Sequence, residues 1–148
     1  MTPPEKGLSL LLPLLALPRE SAEDGLYGGS VAAWAKRVTE AQENCLLVDD
    51  RGRVQALSRG CTLLLDAGSG DALGRPLREL VSLVDFSAAG VPVEDPENHL
   101  PPLKSLRSGT MARGLVRLRL AADVVTTYDV VGVPLDGGVG ALAFFGEV

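Results

Sequence analysis

Apolar positions along the chain change period twice, and each change marks a structural boundary. In "GGSVAAWAKRVTEAQEN" they recur at Val31, Trp34, Val38, Ala41 and Cys45. Alternating steps of three and four put these residues on one stripe of a helix. Ser30 is a suitable N-cap, because its hydroxyl can accept from a first-turn amide. Lys36, Arg37, Glu40 and Glu43 fall largely off the stripe. The stripe must bury against its own domain or against a second copy. In the second case Val31, Trp34, Val38 and Ala41 form a homodimer seam with Trp34 as its anchor.

"CLLVDD" turns from apolar to acidic, "RGR" supplies a glycine for the turn, and "VQAL" resumes. This predicts a two-stranded hairpin. "SRGCTLLLDAG" predicts a helix capped by Ser58, bodied by Leu63, Leu64 and Leu65, and ending near Gly68. "DALG" and "PLRELVSLV" predict short helical pieces split by Gly74 and Pro76, with Pro76 at a first helical position. "DFSAAGVPVEDPENHLPP" holds four of the ten prolines and an acidic cluster, Glu94, Asp95 and Glu97. It predicts a surface loop. "PLKSLRSG" predicts a helix with Leu103 and Leu106 inward and Gly109 as terminator.

After Gly114 the period drops to two, with Val116, Leu118 and Leu120 alternating against Arg117 and Arg119. "VVTTYDVVGVPL" is rich in β-branched residues. "DGG" makes a turn, and "VGALAFFGEV" is a last strand. The order predicts an α+β domain: a five-stranded antiparallel sheet with short helices over one face, preceded by an N-terminal amphipathic helix. The chain divides into an extension (1–28), a cap or dimerisation helix (29–43) and the domain (44–148). A cavity in this plan lies between sheet and helices. Its candidate walls are Leu57, Leu64, Val84, Leu103, Leu118, Tyr128, Leu142 and Phe144, and the same residues serve equally as close-packed core.

Composition narrows the partners. The 148 residues are 46% hydrophobic but only 4% aromatic, so the core is built from Leu, Val and Ala. Net charge is −5. Nucleic acid needs a basic footprint, and this chain lacks one. Arg113, Arg117 and Arg119 alternate, as on the solvated face of a strand. The apolar run at 8–17 has a signal-peptide length, yet Glu5 and two prolines precede it and "LALPRE" offers no small-x-small cleavage site. Pro13 interrupts the run, which is far below the roughly 20 residues of a bilayer span. A cytoplasmic protein without a membrane span is the expectation.

At this point the chain resembles a PAS domain over about residues 43–148. "LLVDDRGRVQALS" is similar to the family's opening strand, acidic-Gly turn and second strand. "SRGCTLLLDAGSGDALGRPLREL" resembles the following helices, with Gly74-Arg75-Pro76-Leu77 nearest to the family's phrase. "LKSLRSG" resembles the helix before strand three, and "VVGVPLDGGVGALAFFGEV" the last hairpin. The resemblance implies a bacterial sensory or protein-interaction module that signals to a separate effector protein and is not an enzyme. The amphipathic helix resembles the cap many such domains use to dimerise. Three positions depart from the family: Ser58 stands at the usual Asn, Asp66 at a usual Gly, and "GEV" replaces the motif that commonly leads to an effector. A roadblock-like or profilin-like fold shares the sheet but wants one long helix, which Gly68, Gly70, Gly74 and Pro76 break.

Little catalytic chemistry is visible. Cys45 and Cys61 form no CxxC and have no nearby His, so no zinc site is expected. "GSGDALG" lacks the Lys-Ser/Thr of a phosphate loop. Asp49 and Asp50 are adjacent on a strand end and point apart. His99, the one histidine, lies near the helix that holds the iron ligand in haem-binding PAS proteins, but Pro101 and Pro102 place it before that helix. The expectation is no resident cofactor, with a haem or small apolar ligand sensor as the alternative.

Overall fold

Ser30 opens the first helix as expected: its Oγ accepts from the Ala33 amide at 3.1 Å, and α1 runs Val31–Glu40. The computed structural model describes residues 28–65, 69–119 and 124–148. The extension up to residue 27, its apolar run at 8–17, and the expectations for Asp66, Gly68 and Leu120 lie outside the described residues.

The hairpin follows, with β1 at Cys45–Asp49 and β2 at Val54–Leu57. Asp49 shapes its turn by accepting from the Arg51 and Arg53 amides at 2.9 and 3.0 Å. Gly52 takes φ 76°, which its missing Cβ permits. Three short helices come next: α2 (Arg59–Leu64), α3 (Ser69–Ala72) and α4 (Leu77–Leu80). Pro76 is the cap of α4 rather than its first helical residue. Beyond a 3-10 turn at Pro96–Asn98, α5 spans Pro101–Ser108 and ends at Gly109 in the left-handed region, as expected.

Among the described residues the sheet has six strands rather than five. The additional strand, β3, is Leu83–Val84, inside a run that reads as helix in the sequence. The others are β4 (Ala112–Arg119), β5 (Val125–Pro134) and β6 (Gly140–Glu147). The order is β2-β1-β6-β5-β4-β3, and every neighbouring pair is antiparallel.

The sheet has an inner and an outer face, and both carry packed cores. On the inner face Leu46, Val48, Val130 and Phe145 pack beneath Cys61, Leu77, Leu100 and Leu103 of the helical connection. On the outer face Trp34 and Val38 of α1 lie on Cys45, Leu47, Val131, Leu142 and Phe144. Cys45 thus joins the Trp34 stripe as a strand residue, not a helical one. The helix stripe is buried on its own domain, the first of the two alternatives. Trp34 is 3% exposed and Val38 fully covered, so a seam between copies would have to form from other surfaces.

The proline-rich loop is tied down. Asp85 Oδ1 accepts from the amides of Ser87 and Val91, each at 3.0 Å, and from the Ser87 hydroxyl. These hydrogen bonds, that of the Ser87 hydroxyl first, hold the Asp85 carboxyl below its ordinary range. Arg117 donates to the carbonyls of Asp85 and Ser87, and Arg119 to that of Gly90. The arginines expected on a solvated strand face therefore clamp this loop, while Arg113 pairs with Asp129 at 2.6 Å.

Candidate functional site

The space between sheet and helices gathers part of the expected pocket lining. Leu57, Leu103, Leu118 and Tyr128 belong to the inner core, and Leu64 packs against it. Val84 is buried on β3. Leu142 and Phe144 are not with them: they lie on the outer face under α1. Their placement in the pocket is corrected by one register step along β6, where Ala143 and Phe145 face inward instead.

Tyr128 is the polar member of this set. It is 6% exposed and meets Phe145 edge-on, with ring centroids 6.3 Å apart. Burial, then the charge of Glu147, raises its hydroxyl pKa. Its hydroxyl has no hydrogen-bond partner among the described residues.

Ser58, at the position of the family's Asn, does structural work. It is fully buried, and its Oγ accepts from the Cys45 amide at 3.0 Å and the Cys61 amide at 3.2 Å. One hydroxyl thereby caps α2 and ties it to β1. Ser58→Ala leaves two buried donors unsatisfied and should cost about 2 kcal/mol. Urea unfolding reads this; an unchanged midpoint would mean that water replaces the hydroxyl.

The thiols are poor nucleophiles. Burial raises Cys45 to about 12, opposed by a hydrogen bond with Ser58 and aided by the Glu43 charge. Burial also raises Cys61, with a further contribution from Cys45. Both stay protonated at neutral pH. His99 is half-exposed, its Nε2 3.2 Å from Asp95 Oδ1, and it precedes α5 as expected. It belongs to neither core, so the residues present do not bring an imidazole to an interior haem. Among the described residues no three His, Cys, Asp or Glu side chains gather as a metal site. No helix among them is long and apolar enough to cross a membrane.

The outer face is only half covered. Beyond α1, on β4, Leu115 is 56% exposed, and Phe86, under the guanidinium of Arg117 from the same strand as Leu115, is 59% exposed. Leu115 sits directly across from Asp129, which holds Arg113 in a bidentate pair. The result is an apolar patch framed by a fixed pair of opposite charges.

An antiparallel sheet with order 2-1-6-5-4-3 and short helices between its second and third strands defines the class of the chain as an α+β domain. Comparison with solved structures makes the class specific: the chain has the PAS fold. It is similar to the PAS domain of nitrogen regulation protein NR(II) from Vibrio parahaemolyticus, with TM-score 0.55 and 14% identity, covering 81% of this chain and 100% of that one. It is similar to a PAS domain from Colwellia psychrerythraea at TM-score 0.56 and 17% identity, covering 80% and 96%. It is also similar to the PAS domain of a LuxR-family transcriptional regulator from Burkholderia thailandensis, solved in complex with ethanol, at TM-score 0.52 and 15% identity, covering 76% and 95%. No family model matches the sequence, and no curated protein matches it.

Proposed function

We propose that the chain is a sensory and protein-interaction module of signal transduction, without catalytic activity, that works as a homodimer on a separate effector protein. The carrying observation is the half-covered outer face: α1 closes one half, while Leu115 and Phe86 stay exposed on the other. Exposed apolar patches rimmed by charge mark interaction sites. A two-fold axis through this patch would let Arg113 and Asp129 of one copy meet their counterparts, since such interfaces are self-complementary. The PAS-fold neighbours named for a nitrogen regulation protein and a transcriptional regulator support a signalling role.

Native mass spectrometry with the Leu115→Glu variant tests this. The wild type should show a dimer mass, and the variant a folded monomer. A wild-type monomer, or a variant dimer, would overturn the assignment of this face.

A second reading is a small-ligand sensor, and Tyr128 favours it. Its ring shares the inner core with Leu57, Leu103 and Leu118, and its hydroxyl has no hydrogen-bond partner among the described residues. The ethanol bound by the Burkholderia domain is a precedent for a small hydroxylic ligand in this fold. The same spectrum decides: an extra mass per subunit, lost in Tyr128→Phe, would move the function to the pocket.

A further inference from the structure

The surface beside the carboxyl end of α5 has a charge opposite to that of the chain. A groove of about 570 Å³ opens there between α5 and the start of β4, and Lys104, Arg107, Ser108, Thr110, Met111 and Arg113 line it. Its lining contains three cations and no carboxylate. Yet the chain as a whole carries −5.

The state of each cation matters more than the count. Arg113 is neutralised by Asp129. Arg107 is held but not neutralised: its Nη1 donates to the Asn98 side-chain oxygen at 2.6 Å and its Nη2 to the Glu97 carbonyl at 2.9 Å. Both acceptors are uncharged, so the guanidinium is oriented and keeps its full charge. Lys104 lies one turn earlier on the same helix face and has no acidic partner among the described residues. The nearby carboxylates are turned to other work. Glu97 pairs with Arg78 at 3.2 Å, and Asp95 binds Asn98 and His99.

Next to the cations stand two hydroxyls and one apolar side chain. Ser108 and Thr110 share a 2.9 Å hydrogen bond at the groove rim. Met111 is 53% exposed, although a flexible thioether would ordinarily be covered. Oriented positive charge beside an accessible methionine is a surface that recognises carboxylates flanking an apolar side chain.

We propose that this groove is a docking site for an acidic, leucine-containing peptide segment of a partner protein. The assignment rests on the reading of the chain as an interaction module and names the chemistry of its partner. The groove borders the Leu115 patch at Arg113, while Lys104 and Arg107, the cations that would read the peptide, lie on α5 away from it.

The test is fluorescence anisotropy of the full chain with a labelled peptide of alternating glutamates and leucines, and with a glutamine version as control. The glutamate peptide should bind and weaken as salt rises, and the control should not bind. Lys104→Glu should weaken binding about tenfold, and Arg107→Gln should weaken it about as much. Both residues are exposed, and amide spectra of the variants verify that the fold is kept. Shifts on peptide addition should centre on residues 104–113. Equal binding of the glutamine control, unchanged binding by both variants, or the same shifts produced by inorganic phosphate alone would each overturn the assignment. A dimer that ignores the peptide sinks this assignment alone. A monomer with a retained small molecule sinks the interaction-module reading and this one with it.

Discussion

Trp34→Ala is expected to lower stability by about 4 kcal/mol. The indole is 3% exposed and fills the contact between α1 and the outer face of the sheet. Its Nε1 also donates to the Gly28 carbonyl at 2.8 Å, and the Arg37 guanidinium lies 4.9 Å from its ring. Truncation therefore removes a large apolar surface, leaves a cavity over Leu47 and Phe144, and orphans a carbonyl. For a domain with total stability of order 5–15 kcal/mol, that is a major fraction. Chemical denaturation followed by circular dichroism measures it. A loss below about 1 kcal/mol would mean that α1 does not rest on the sheet in solution. Trp34→Glu would test a helix-to-helix seam by giving a folded monomer; with the indole buried in its own chain it should instead place a carboxylate under α1 and detach the helix.

Gly132→Ala is expected to cost about 3 kcal/mol despite adding one methyl group to a strand. Gly132 sits on β5 beneath the start of α5. A Cβ there would lie 2.5 Å from the Pro101 carbonyl carbon and oxygen and 2.6 Å from Pro102 Cα. These are backbone atoms with φ fixed by proline rings, so they cannot swing aside as a side-chain tip would. The helix must rise from the sheet, and Pro101, Pro102 and Leu103, all buried, rise with it. In most strands Gly→Ala is neutral or stabilising. A variant as stable as the wild type would show that α5 does not sit this close. The same lift would move Lys104 and Arg107, so reduced peptide affinity should accompany reduced stability.

Local chemistry made much of this fold readable. Ser30 and Ser58 announce helix starts because a short hydroxyl before an apolar period has one good use. Gly52 and Gly109 announce turns because both take positive φ. The missed strand β3 shows the limit of such signals. Two residues give no period, and in "LRELVSLVDF" the spacing of leucines suits a helix; only pairing with Leu118 and Arg117 on β4 makes Leu83 and Val84 a strand. The misassigned Leu142 and Phe144 have a different cause. In "GALAFF" every position is apolar because α1 covers one face of β6 and the short helices cover the other, so alternation carries no phase. Of the site, Tyr128 was legible as a buried aromatic on a β-branched strand. The groove at α5 was not. Its residues come from a helix end, a turn and a strand start, and the free charge of Arg107 depends on Asn98, nine positions away.

The sheet order also sets a timetable. β6 is the last strand in the sequence, yet it lies in the middle of the sheet, between β1 and β5. Cys45 must find Phe144, about a hundred positions along the chain. As the protein is synthesised, the β1–β2 hairpin and the β4–β5 pair can each form early, but nothing joins them. Until β6 emerges, β1 and β5 each present a bare, apolar edge, the kind that recruits strands from other chains. Closure is then a long-range event, slow by its topology. The nascent chain is most exposed to aggregation in the interval before β6 emerges, and its dependence on chaperones should be concentrated there.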